Sequence, residues 1–139
     1  HISETTLFKN GPLSNQEWHE IRDHPVTGSE MIKDIPYLAP AIAVVRHHHE
    51  RWDGTGYPDG LMGEEIPMAA RIIAVVDGFD AMTTDRPYRY ACDLEEAYQE
   101  ILEASDSQYD PAVVAAFQRA WDKGEIFPVW ERWQTEKVA

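Results

Sequence analysis

Three histidines in a row, His47-His48-His49, followed by Glu50, are the residues in this sequence best suited to chemistry. Neutral imidazoles are the usual ligands of transition metals. Neighbouring residues on a helix project about 100° apart, so two adjacent histidines suit two nearby ions better than one face of a single ion. A solvated, polar helix end is the plainer alternative. The run follows an apolar stripe of Ala41, Ile42 and Val45, and this puts metal binding ahead.

Asp77 is the second candidate. It stands among Val75, Val76 and Phe79 on the most apolar segment of the chain, where an uncompensated carboxylate costs several kcal/mol. A metal ion or an arginine such as Arg71 would compensate it, and both readings stay open. Asp80, one turn on, is placed to support a ligating histidine. His24, just before Pro25, reads alone as an ordinary junction residue and gains interest from the other ligands. Asp53-Gly54-Thr55-Gly56-Tyr57-Pro58 forms a Gly-rich stretch that lets backbone approach a ligand closely. There Tyr57 is suited to stacking on a base, and Asp53 to fixing the loop; a turn-rich connection is the bland alternative. Arg86 and Arg89 place two cations together on an acidic chain and suit an anionic ligand, with surface pairing to Asp85 or Glu95 as the alternative.

The elements that position these groups read as helices joined by Gly- and Pro-marked turns. Ser14 to Glu17 forms a capping box opening a helix that carries Trp18 and Ile21 inward and stops near His24-Pro25. Pro25 then opens the next helix, through Met31 and Ile32. A third helix begins near Pro40. Residues 51–67 form a long ordered functional loop. A fourth helix, about Met68 to Thr83, is apolar on nearly every side, which predicts a central, buried position. Asp93 caps a fifth helix with Leu94, Ala97, Ile101 and Leu102 inward. Asp110-Pro111 opens a sixth, with Val113, Val114, Phe117 and Trp121 inward and Gly124 at its end. Phe127, Trp130 and Trp133 in the tail suit covering the core or contacting a missing domain. No period-2 strand pattern occurs.

The chain has 139 residues, 43% hydrophobic, which is enough for one globular domain. With 12 Lys+Arg against 25 Asp+Glu the net charge is −13, which argues against a broad face for a nucleic acid polymer but not against a small phosphate ligand. No apolar run is long enough for a membrane span, and no signal peptide is visible. Cys92 is the only cysteine, so a reducing compartment, the cytoplasm, is expected. With no initiator Met at its start, the chain is expected to be a piece of something longer.

Taken together, these motifs resemble the HD-GYP family of HD phosphohydrolases. The matching segments are His24-Pro25-x-x-Gly28, His48-His49-Glu50-Arg51-Trp52-Asp53-Gly54-Thr55-Gly56-Tyr57-Pro58, Gly60-Leu61-x-Gly63-x-x-Ile66-Pro67, Asp77-x-Phe79-Asp80-Ala81-Met82-Thr83 and Arg86-Pro87-Tyr88-Arg89. The resemblance implies an all-α helical bundle of the HD-domain type, filling residues 1–123, with 124–139 as a tail packed on the domain or a partner. It implies a two- or three-ion iron or manganese centre that hydrolyses cyclic di-GMP to pGpG or GMP in bacterial signal transduction. By position His24, His48, His49 and Asp77 match the metal ligands, and His48, His49 and Asp77 the catalytic centre. Tyr57, Arg86 and Arg89 match the substrate side, and Glu50, Asp53, Gly54, Gly56, Pro58 and Asp80 support them. His47 has no counterpart. The partners implied are an upstream sensor or receiver domain, as in a two-component response regulator, a GGDEF-type protein and a second copy of the chain. The family's HD pair is expected a few residues before His1. The alternative is a catalytically inactive module, lacking that pair, that binds a cyclic dinucleotide or a protein; a third reading is hydrolysis of another phosphate ester.

Overall fold

The computed structural model describes residues 3–7, 9, 11–85 and 90–137. Arg86 and Arg89 lie outside the described residues, and so does the side chain of Trp133. The helices in chain order are α1 (Glu4–Leu7), α2 (Asn15–Ile32), α3 (Ala39–His47), α4 (Met68–Thr83), α5 (Leu94–Glu103), α6 (Pro111–Asp122) and α7 (Ile126–Lys137), and the described residues contain no strand.

Local capping chemistry sets the starts of α2, α5 and α6. Ser14 and Glu17 close a reciprocal box at α2, and Asp93 and Glu96 do the same at α5. Asp110 accepts the Ala112 N–H at 2.7 Å at the start of α6, ahead of Pro111. Each such cap satisfies N–H groups that the helix itself leaves unpaired.

Expectations for two helices change here. The helix expected to stop at His24-Pro25 continues through Pro25 as the single 18-residue α2. Pro25 has no N–H to give the Ile21 carbonyl four residues back. The His24 ring takes that place, its Nδ1 lying 2.5 Å from the Ile21 oxygen. Trp18, expected inward, is 48% exposed.

The second change concerns α4. Its bounds are those expected, but it is buried on one face only: Ala70, Val75, Phe79 and Thr83 are buried, whereas Ile72, Ile73 and Val76 are 41–53% exposed and Asp77 is exposed as well. An all-round apolar pattern states that a helix can be covered on every side; it does not supply the cover. The open face borders an apolar groove of about 570 Å³ lined by Val76, Phe117, Ile126, Val129 and Trp130.

The core lies between α4, α5 and α6, built from Val75, Phe79, Ala97, Ile101, Tyr109 and Val114. Tyr98 stacks on Trp121 at 4.3 Å beside it. From α7, Ile126 and Trp130 pack on this cluster, and the Trp130 indole N–H donates to the Thr83 hydroxyl at 3.2 Å. On the other side α2 lies along α3. Gly28 permits the approach: a Cβ there would stand 3.1 Å from Val45 Cγ1. About one helical turn away, the same pairing brings His24 against His48 and His49.

A candidate metal centre under a braced loop

His24 comes from the middle of α2, while His48 caps the C-terminus of α3 and His49 follows it. The ring centroids lie 5.4 Å apart for His24–His48, 4.9 Å for His24–His49 and 4.0 Å for His48–His49. One ligand nitrogen from each falls within 4.8 Å of the others, so the three can hold one metal ion.

Two backbone carbonyls orient the rings. His24 Nδ1 meets the Ile21 oxygen, and His48 Nδ1 meets the Val45 oxygen at 2.8 Å. A carbonyl only accepts, so each Nδ1 carries a hydrogen, and in the neutral ring each Nε2 presents a bare lone pair. Those two Nε2 atoms face each other at 3.4 Å. Two lone pairs at that separation repel unless a cation lies between them. The donor set therefore fits a divalent transition metal, with the carbonyls doing the ring-orienting that metal-bound histidines need.

Burial, with the neighbouring His48 and His24 rings, pushes the His49 pKa down from the ordinary 6.5 to about 4. His24 is also lowered, by burial first and then by His48, against the Ile21 carbonyl and Asp77, which raise it. Both rings stay neutral near pH 7, the form a metal requires. Because their native pKa values lie below the unfolded ones, the unfolded chain binds more protons in acid. The chelator-treated chain is thus expected to lose stability as pH falls from about 6.5 towards 4, with no contribution from these rings above that window. Urea midpoints at pH 7.5 and pH 5 check this; a fall of the same size in His49→Gln would remove His49 as its cause.

Asp77 stays outside the three-histidine group. Its charge still acts on His24, Tyr57 and Tyr109. Arg71, one candidate to compensate it, pairs instead with Asp110 at 2.8 Å. Asp80, partly buried, accepts from the Thr84 hydroxyl at 3.4 Å, has further interactions, and lines the apolar groove with Asp77.

His47 points away from the cluster. Its Nδ1 is buried without a hydrogen-bond partner among the described residues, 3.5 Å from Asp59 Oδ2 and 3.8 Å from Glu50 Oε1. These three could hold an ion by distance alone. Their oxygens are already used: Arg46 grips both oxygens of Asp59 at 2.8 Å, and Glu50 accepts the N–H groups of Asp59 and Leu61 at 2.8 and 3.1 Å. The group acts as a clip that ties the Gly-rich loop to α3.

The loop is braced elsewhere too. Asp53 accepts from Arg51 and from both the N–H and the hydroxyl of Thr55. The N–H groups of Trp52 and Asp53 donate to the carbonyls of Gln108 and Ser107, before α6. Gly54 has φ +77, and Tyr57-Pro58 is a cis peptide. Gly56 fits against the backbone itself: a Cβ there would lie 2.3 Å from Arg51 N and 2.6 Å from Glu50 Cα. Backbone cannot move aside as a flexible side chain does, so Gly56→Ala should destabilise the fold by about 1–3 kcal/mol, read from the urea midpoint. An unchanged midpoint would mean that the loop repacks freely. The loop delivers Tyr57, whose ring stacks on His49 at 5.0 Å and 29°. Sequence reasoning missed Arg22, which stands over the Tyr57 ring at 5.9 Å. Glu50, expected to support the site, does so by anchoring backbone N–H groups of the loop, partners that its sequence neighbourhood does not specify.

The model of the HD domain family "HD_5" matches residues 4–113. The chain is 39% identical over 140 residues to a cyclic di-GMP phosphodiesterase of Thermotoga maritima, covering 99% of this chain and 38% of that protein. It is 38% identical over 120 residues to the cyclic di-GMP phosphodiesterase response regulator RpfG of Xanthomonas campestris, covering 85% and 32%. It is 33% identical over 126 residues to 3'3'-cGAMP-specific phosphodiesterase 2 of Vibrio cholerae, covering 88% and 24%. The chain thus spans between about a quarter and two fifths of these relatives' lengths. Among solved structures, the cyclic GMP-AMP specific phosphodiesterase V-cGAP3 of V. cholerae superposes with a TM-score of 0.65 at 23% identity, over 79% of this chain and 25% of that one, which shows a shared fold. The chain belongs to the HD-domain family, as its HD-GYP motifs imply.

Proposed function

We propose that the protein is a metal-dependent phosphodiesterase that hydrolyses cyclic di-GMP to pGpG or GMP in the cytoplasm, under the control of an upstream sensor or receiver domain. The observation that carries this is the pair of bare Nε2 atoms facing each other at 3.4 Å beneath the braced loop. The relatives named above support the substrate class. In such a site divalent ions polarise a phosphoryl oxygen and lower the pKa of water.

The chain's own residues do the rest. His24, His48 and His49 hold metal, with iron or manganese favoured by the family pattern and all-imidazole donors compatible with either. Asp77 is the acidic ligand of that pattern, on the open face of α4. Tyr57 holds the His49 ring and forms part of the substrate wall. Glu50, Asp53, Gly54, Gly56 and Pro58 shape the loop that carries it, while Arg86 and Arg89 are the cations for substrate phosphate. Residues 1–123 form the catalytic domain, with 124–139 its covering tail. A GGDEF-type protein and a second copy of the chain are the proposed partners.

Turnover of cyclic di-GMP by the full-length, manganese- or iron-loaded protein tests the reading, beside a chelated control, His49→Ala and Asp77→Ala. Activity lost in all three controls is the expected result. Wild type that carries metal yet cleaves no cyclic dinucleotide sinks it and leaves a binding module. The 33% identity to a 3'3'-cGAMP enzyme favours one second reading, cleavage of that mixed dinucleotide. Rates on the two substrates side by side decide between them.

A further inference from the structure

Resting on the phosphodiesterase reading, we propose that Arg22 is a substrate-contact residue that holds a phosphate of the bound cyclic dinucleotide. Arg22 stands on α2, two residues before His24, with its side chain exposed. Its guanidinium lies over the Tyr57 ring at 5.9 Å, and that ring stacks on His49. The cation is thereby held beside the three-histidine group by an aromatic side chain that is itself fixed to one of the three.

A cation–π contact engages the flat face of a guanidinium and leaves its five N–H donors available. No hydrogen bond or ion pair to Arg22 occurs among the described residues, although the chain carries 25 carboxylates against 12 Lys and Arg. The other arginines around the loop are engaged: Arg46 with Asp59, Arg51 with Asp53 and Gln108, and Arg71 with Asp110 and the Ile66 carbonyl. Among the described residues, Arg22 is the flanking arginine whose planar donor fork is still open. That fork matches two oxygens of a phosphate, and the Tyr57 contact orders the side chain before ligand arrives. A brace for Tyr57 alone would explain the ring contact but not the open donors.

The test compares wild type, Arg22→Met and Arg22→Lys in the full-length, manganese-loaded protein. Titration calorimetry with a hydrolysis-resistant phosphorothioate analogue of cyclic di-GMP reads affinity at low and high salt. The expected result is binding at least about tenfold weaker in Arg22→Met, with a flatter salt dependence, unchanged metal content and partial recovery in Arg22→Lys. A brace would leave the salt dependence as it is. Unchanged affinity, weakening that follows loss of metal, or an unchanged salt dependence overturns the assignment, as does a wild type that does not bind the analogue. Turnover of unmodified cyclic di-GMP is measured separately. Binding that depends on Arg22 in a protein that cleaves nothing would keep this assignment and sink the phosphodiesterase reading.

Discussion

Replacing His48 with alanine should abolish any stabilisation that an added divalent transition metal gives the full-length protein, while leaving the chelated protein as stable as wild type or slightly more so. The two halves share one cause. In the metal-free chain His24 Nε2 and His48 Nε2 present lone pairs to each other at 3.4 Å, an arrangement that costs free energy until a cation sits between them. Alanine at position 48 removes that repulsion together with the ligand. It also frees only one carbonyl, that of Val45 near the end of α3, where other acceptors are unpaired in any case. Changes to groups that merely orient metal ligands cost about 10–100-fold in affinity, so loss of a ligand should exceed that range. Thermal melts with metal and with chelator measure both halves. Metal bound to the native state raises the melting temperature by mass action, and in His48→Ala the two curves should coincide. A variant that still gains from metal would place the ion elsewhere. His47→Ala, one residue away, should keep the full metal response, because its ring turns towards Asp59 and not towards the cluster.

What was legible in the sequence was mostly local. The boxes at Ser14 and Asp93 and the Asp110-Pro111 start each depend on groups within four residues, and all three open helices where expected. Pro25 misled because its local rule is to end a helix; the side chain of His24 satisfies the carbonyl that the proline leaves free. The same substitution of a ring for an N–H helps to aim His24 at His48, so one departure from the local rule serves both the fold and the site. The exposure of Asp77 and Val76 was not legible, since periodicity records which residues are apolar and not which faces find a neighbour. Arg22 carries no signal of its own. Its interest comes from Tyr57, 35 positions away in sequence, reaching the same place along the loop.

Arg71 shows the energetic consequence of a long-range partner. It reaches from α4 to Asp110 at the start of α6, with 12% and 3% of the two side chains exposed, and it also donates to the Ile66 carbonyl and lies over Trp52 at 5.7 Å. The pair thus fastens the end of the Gly-rich loop to α4 and α6. Removing one member of a buried ion pair costs about 3–5 kcal/mol, because the other charge is left without a partner. Against a total stability on the order of 5–15 kcal/mol, that is a large share. Asp110 also caps α6 through the Ala112 N–H, and a cap alone contributes about 1 kcal/mol. Asp110→Asn separates the two roles: asparagine caps a helix about as well as aspartate but carries no charge. The expected result is a urea midpoint for Asp110→Asn far below wild type, with Asp110→Ala lower still by roughly the value of the cap. Arg71→Met combined with Asp110→Leu should recover part of the loss, since no charge then remains buried without a partner. If Asp110→Asn matches wild type, the ion pair contributes nothing net, and the loop end is held by the Ile66 and Trp52 contacts of Arg71 alone.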